Sequence, residues 1–386
     1  MRQLAAALAE RRQQGLYRSR RILEGPQDVQ VRIDGRDYLS FCSNDYLGLA
    51  SDPRLVEALK EGAERFGVGS GAAHLVSGHS RAHELLEEEL AEFLGVPRVL
   101  LFSTGYMANL GVVTSLAGRG DTVFEDRLNH ASLIDAARLA GAALQRYRHN
   151  DVDSLERRMS QQERGSRLIA SDAVFSMDGD CAPVARLGEL AAQRKAWLLL
   201  DDAHGFGVLG EGGRGLVAAQ LRKSGANTVL MATLGKALGV FGAFVAGSEE
   251  LVETLIQGAR SFIYTTAPPP ALAWATRVAL RLVREGDERR AHLRWLVRRF
   301  RTAAAQLDLP LMSSDTPIQP LLIGDSAAAL AFSRRLARRG ILVTAIRPPT
   351  VPKGSARLRI TFSASHTGEQ VDRLVEALGD ARDAAR

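Results

Sequence analysis

The stretch Trp197-Leu198-Leu199-Leu200-Asp201-Asp202-Ala203-His204-Gly205 decides the fold class. Its apolar run suits a strand buried on both faces, and the run stops at two carboxylates followed by a histidine. Open α/β sheets present chemistry in this way, beyond the carboxyl ends of their strands. Downstream, Thr228 to Gly247 is almost uncharged, with Lys236 at its centre among glycines. It is long enough to suggest a membrane span. The glycines and the lysine indicate instead two buried strands around a tight turn. Upstream, strands are expected at Val99–Phe102, Asp121–Phe124, Leu144–Tyr147 and Arg167–Asp172. Helices at Ala131–Ala140, 154–163 and Val184–Lys195 are interleaved with them. Such alternation gives an α/β fold, a mostly parallel central sheet with helices on both faces.

Three segments follow from this pattern. Residues 1–45 read as an N-terminal helix (to about residue 24) and a hairpin, with Val29–Ile33 and Asp37–Phe41 joined by the turn pair Asp34-Gly35. Residues 46–270 form the large α/β domain, and Pro268-Pro269-Pro270 is a rigid break at its end. Residues 271–386 read as a smaller α+β C-terminal domain, with strands near 318–323, 342–346 and 357–361. Its first long helix carries Arg290, Arg294, Arg298 and Arg301 on one face, which is either simply solvated or a docking face for an acidic partner.

Composition narrows the function. The chain has 386 residues, 46% of them hydrophobic and 24% charged, which suits a globular enzyme. Its net charge of +6 is spread among acidic residues, not gathered in a basic stripe, so nucleic-acid binding is not expected. Two cysteines, Cys42 and Cys181, give no disulfide framework and no cysteine metal cluster, and no metal is expected. Leu4 to Leu16 is amphipathic with paired arginines, unlike a leader peptide, and a cytoplasmic location with no membrane association is expected.

One cofactor needs the groups at these strand ends. Pyridoxal phosphate forms a Schiff base with a lysine, and its ring accepts carbanion charge only when a carboxylate keeps the ring nitrogen protonated. Lys236, Asp201 and His204 fit the lysine, the carboxylate and a partner for the phenolic oxygen. Each alone has a plainer reading: an exposed charge, a helix cap and a core imidazole. For the phosphate, the strand–turn–helix around Ser103-Thr104-Gly105-Tyr106 offers backbone amides of Gly105 and Tyr106 at a helix N-terminus. The glycine-rich Gly67–Gly71 loop is a weaker candidate. His130, after a strand and before a helix, either stacks on a planar ring or caps the helix; Ser176 is similarly placed. Asn44, in Ser43-Asn44-Asp45-Tyr46-Leu47-Gly48-Leu49, either faces a ligand or closes an Asx-turn.

Four motifs together carry a family resemblance: Ser43 to Leu49, Phe175-Ser176-Met177-Asp178-Gly179-Asp180, Asp201 to Gly205, and Thr233-Leu234-Gly235-Lys236. Over nearly its whole length the chain resembles the α-oxoamine synthases, pyridoxal-phosphate transferases of fold type I. The resemblance implies that Lys236 carries the Schiff base, Asp201 pairs with the pyridinium, and His204 and Ser176 lie near the phenolic oxygen. It further implies that His130 stacks on the ring and that Gly105, Tyr106 and Thr233 hold the cofactor. Arg18, Asn44, Arg347 and Thr350 match substrate-contacting positions, and the Arg347 guanidinium suits a carboxylate. Ile318-Gln319-Pro320 and Ala345 to Pro352 look most like the member that joins L-alanine to a pimeloyl thioester with loss of carbon dioxide. The acyl donor is then pimeloyl-CoA or a pimeloyl acyl carrier protein, and a homodimer with interface active sites is implied. Sister members joining glycine to acetyl-CoA or serine to a long acyl-CoA stay open, as does a non-catalytic phosphate-binding protein. His74, in Ala72-Ala73-His74, departs from the small residues expected there, which bears on loop geometry and acyl-chain choice.

Overall fold

A computed structural model describes residues 3–162, 164–224 and 227–383. Two compact units divide the chain: residues 1–48 with 177–180 and 289–386, and residues 49–176 with 181–288. The N-terminal segment thus groups with the C-terminal one. The far boundary falls at 288/289, where the sequence suggested 270/271. The physical reason is the helix Pro270–Arg284, which packs on α2 (Pro53–Phe66) so closely that a Cβ on Gly62 would lie 2.9 Å from the Ala271 Cα.

In the smaller unit, α1 (Leu4–Gln13) is shorter than expected: Gly15 takes φ +64° and ends the helical path. Strands β1 (Gln30–Ile33) and β2 (Arg36–Ser40) form the antiparallel hairpin anticipated from Asp34-Gly35, both of which have positive φ as a tight two-residue turn requires. The unit also holds β10 (Ile318–Gly324), β11 (Ile341–Leu342), β12 (Thr344–Ile346) and β13 (Ala356–Thr361). β11 joins β2 in parallel, and β13 lies between β10 and β12, antiparallel to both.

The larger unit is organised by seven strands: β3 (Arg98–Phe102), β4 (Thr122–Asp126), β5 (Ala143–Tyr147), β6 (Arg167–Asp172), β7 (Trp197–Asp201), β8 (Thr228–Thr233) and β9 (Ala243–Gly247). Their order across the sheet is β3-β9-β8-β7-β6-β4-β5, and only β9 runs against its neighbours. Thr228 to Gly247 is therefore the strand pair around a turn that its glycines indicated. Leu198, Leu199 and Leu200 are fully buried, as a central strand covered on both faces demands. Helix α3 (Arg81–Leu94) precedes β3, and α4 (Gly105–Leu116) and α5 (Ala131–Ala140) follow β3 and β4. On one sheet face, Leu100, Val123, Leu168, Leu199 and Val229 pack against Val112, Val113, Leu133 and Ala137 from α4 and α5. Among the described residues no helix is long and apolar enough to cross a membrane.

Candidate active site

Parallel strands deliver their last residues to one edge of the sheet, and at that edge lies a cavity of about 220 Å³. Asp172 ends β6, Asp201 ends β7 and Thr233 ends β8; His130 stands at the start of α5 and Gly105 and Tyr106 at the start of α4. All of these line the cavity together with Ser132, Ser176, His204 and Lys236. The larger unit thus gathers all eight cofactor candidates named from the sequence.

Asp201 is buried and held from both sides. Its Oδ2 accepts from Asn109 Nδ2 at 2.9 Å, and its Oδ1 accepts from the Ala203 amide at 3.1 Å. Asn109 itself is fully buried and also donates to Ser132 Oγ at 2.9 Å. Opposite, Lys236 Nζ lies 2.9 Å from His204 Nε2. The tight turn after β8 sets this lysine: Thr233 Oγ1 donates to the Gly242 carbonyl at 2.9 Å and accepts from the Gly235 amide at 3.2 Å.

His130 combines its two sequence readings. Its Nδ1 accepts from the Ser132 amide at 3.3 Å, capping α5, while its ring still lines the cavity. Burial lowers its pKa, with Asp201 pulling the other way and the Lys236 charge adding to the drop, so the ring is held neutral. The His130 amide donates to Asp172 Oδ2 at 3.1 Å. Burial, and then the nearby Asp201 carboxyl, push Asp172 well above the usual carboxylate range; its Oδ1 is buried with no hydrogen-bond partner.

These groups fit pyridoxal phosphate by the chemistry of the donor set. A primary amine, a buried acid fixed by two donors, a neutral imidazole and a helix N-terminus face one small cavity. At α4 the cap is Thr104, whose Oγ1 accepts from the Met107 amide at 3.2 Å, and the first turn carries no acidic residue to repel an anion. Tyr106 donates its hydroxyl to Asp135. The loop 67–71, the weaker phosphate candidate, lines none of this cavity; Ser70 Oγ donates to the Pro268 carbonyl.

Asn109, Asp172 and Ser132 were not foreseen. Asn109 had a signal, an amide inside a largely apolar helix, because a buried amide must find partners. Asp172 shows in the sequence only as the end of a strand.

The remaining candidates lie in the smaller unit. Arg18, Arg347 and Thr350 line a cavity of about 710 Å³ that Arg12 and Arg21 also face. Arg18 Nη2 donates to Thr350 Oγ1 at 3.3 Å, and Arg347 Nη1 donates to the Gly15 carbonyl. Burial, then the like charge of Arg18, weaken the hold of Arg347 on its proton. Neither Arg18 nor Arg347 pairs with a carboxylate among the described residues, which leaves two guanidiniums free for an anion. Asn44 is not in this cavity: its Oδ1 accepts from Arg359 Nη1 at 3.1 Å and from the Tyr46 hydroxyl at 3.3 Å. Of the four arginines on the helix Asp287–Gln306, Arg294 and Arg298 are exposed. Arg290 is buried, and Arg301 donates to Gln319 Oε1 at 2.7 Å, so the solvated face is shorter than its spacing suggested.

The chain belongs to the aminotransferase class I and II family, which matches residues 36–378. Within it, the chain is 61% identical over 377 residues to the 8-amino-7-oxononanoate synthase of Methylococcus capsulatus, covering 98% of this chain and 97% of that one. The enzyme of the same name from Cellvibrio japonicus is 57% identical, over 98% of this chain and 95% of its own. Among solved structures, a serine palmitoyltransferase from S. paucimobilis superposes with a TM-score of 0.93 at 28% identity, covering 99% of this chain and 97% of that chain. An 8-amino-7-oxononanoate synthase from Francisella tularensis gives 0.78 at 31% identity, over 90% of this chain and 98% of its own. The α-oxoamine synthase resemblance and the fold type I architecture are confirmed.

Proposed function

We propose that the protein is a pyridoxal-phosphate acyltransferase that condenses L-alanine with a pimeloyl thioester, with loss of carbon dioxide, to give 8-amino-7-oxononanoate for biotin synthesis. The near-full-length identity of 57–61% to synthases of that name carries this reading. Bound pyridoxal phosphate supplies the electron sink for the charge left on the α-carbon of the amino acid.

The protein's part is to bind, orient and move protons. Lys236 Nζ is the amine that would hold the cofactor's aldehyde, and the same nitrogen would serve as the base for the α-proton. His204, 2.9 Å from that amine, orients it, and with Ser176 would hydrogen-bond the cofactor's phenolic oxygen. Asp201 keeps a proton on the ring nitrogen, and Asn109 and the Ala203 amide fix the direction of its oxygens. His130, whose pKa is lowered mainly by burial, would stack on the cofactor ring without competing for its proton. Amides of Gly105 and Tyr106 at the start of α4, with Thr233, take the phosphate. In the smaller unit, Arg347 receives the carboxylate of alanine, and Arg18 and Thr350, which line the same cavity, complete substrate recognition; Asn44, outside that cavity, is left out of this role. Charge on two unpaired guanidiniums supports that assignment. The working form is a cytoplasmic homodimer, and the exposed Arg294 and Arg298 offer a docking face to an acidic acyl carrier protein.

The test is a panel of amino acids and acyl thioesters read by released thiol and carbon dioxide. L-Alanine with pimeloyl-CoA or the pimeloyl carrier protein should turn over best. Preference for glycine with acetyl-CoA, or for serine with a long acyl-CoA, would overturn the reading in favour of a sister activity.

A further inference from the structure

Outside the cavity at the strand ends, the larger unit holds a second concentration of chemistry. Between α2 and α3 the chain makes one wide π-helical turn, His74–Gly78, and then enters α3. The turn and the helix start bring His74, His79 and His83 together, each offering a ring nitrogen within 4.8 Å of the others. Nothing in the mechanism uses these rings.

Two of the three rings, His79 and His83, have their Nε2 held as imidazole ligands need. His79 Nε2 lies 2.9 Å from Glu84 Oε2, and His83 Nε2 lies 2.8 Å from the Pro268 carbonyl. Carboxylates and backbone carbonyls are the usual outer partners of metal-bound histidines, because they fix the proton on one nitrogen and free the other. The Nδ1 atoms of His74 and His79 face each other at 2.9 Å, a contact that requires one proton between them. His74 is buried and stacked on Phe262, with ring centroids 4.9 Å apart, and its Nε2 has no partner. A buried nitrogen without a partner is uncommon and asks for an explanation. With Nε2 unpartnered, no second hydrogen bond pins the tautomer of His74, so its one ring proton can move to Nε2 and leave Nδ1 as the ligand atom.

We infer that His74, His79 and His83 form a binding site for one divalent transition-metal ion of the zinc class, tying the π-turn to the start of α3. Imidazole nitrogens suit zinc, copper and nickel. Tetrahedral zinc with Zn–N near 2.0–2.1 Å sets its nitrogens about 3.3 Å apart. The 2.9 Å pair therefore has to open slightly, and His79, the exposed ring of the pair, moves with its Nε2 on Glu84. His83 joins by giving up the Ser80 amide that its Nδ1 accepts at 3.0 Å. A water or hydroxide fills the fourth position. This site revises the sequence expectation of no metal, which rested on cysteine alone.

The test uses the full-length holoenzyme, freed of metal by chelation with its cofactor retained. Zinc is titrated against a chromophoric chelator, and cobalt is added separately to read ligand-field bands at longer wavelength than the cofactor absorbs. One equivalent of zinc per chain should bind at micromolar concentration or tighter, with a rise in melting temperature. His79→Ala, an exposed change that leaves the core intact, should weaken binding at least tenfold and abolish the tetrahedral cobalt spectrum. His292→Ala, a histidine of the other unit, should change neither. Absence of zinc binding, or binding that His79→Ala leaves untouched, would overturn the inference.

Discussion

Asn109 is a sharp test of how the sheet edge is built. Asn109→Ala removes a buried donor from Asp201 Oδ2 and from Ser132 Oγ, both at 2.9 Å. A hydrogen bond to a charged acceptor contributes about 1.5–3 kcal/mol and a neutral one about 0.5–1.5 kcal/mol. The expected loss of stability is therefore roughly 2–4.5 kcal/mol by those figures, measured by urea denaturation. A cavity term is separated by Asn109→Leu, which keeps the volume and lacks the donor. If hydrogen bonding is the cause, leucine should not restore stability. The same substitution leaves Asp201 held only by the Ala203 amide. Misalignment of its oxygens should weaken cofactor binding about tenfold, since about 1.4 kcal/mol corresponds to one decade, read by visible absorbance on titration with pyridoxal phosphate. Parent-like denaturation and parent-like cofactor affinity in both variants would refute the view that Asn109 positions Asp201.

Three further outcomes are expected. Lys236→Ala should abolish turnover while the circular-dichroism melt stays close to the parent, because this half-buried side chain contributes little to the core; undiminished steady-state activity would remove it from the mechanism. Arg347→Lys should bind cofactor normally but weaken L-alanine by about 1.5–3 kcal/mol, the worth of one charge-assisted hydrogen bond; an unchanged alanine dissociation constant with a lowered melting temperature would assign Arg347 a bracing role instead. Glu125, on β4, has both carboxylate oxygens buried without a partner, and burial pushes its pKa from 4.5 to about 8. A carboxyl raised on folding gives stability that is full below its unfolded pKa and is lost as pH rises through the folded value. Parent stability should thus decline between pH 4.5 and about 8, and Glu125→Gln should flatten that decline by up to a few kcal/mol. Identical pH profiles for the two proteins would show that Glu125 does not sense pH.

Much of the molecule was legible in the chain because its signals are local. An apolar run such as Trp197 to Leu200, stopped by carboxylates, suits a buried strand, and Asp34-Gly35 favours a tight turn with positive φ. In a parallel sheet every strand delivers its last residue to the same edge, so Asp201, His204, Thr233 and Lys236 were predictable as neighbours from their positions alone. Nonlocal packing decided the rest. The burial of Arg290 depends on what covers that helix, which periodicity on a single helix does not encode. Asn109 and Asp201, 92 residues apart, meet only because α4 lies across the sheet. Likewise, His74, His79 and His83 converge because a π-turn shortens the path into α3, and no spacing rule for regular helices places three imidazoles there. The sequence determines which strands and turns form; packing between distant segments decides which polar groups they hold together.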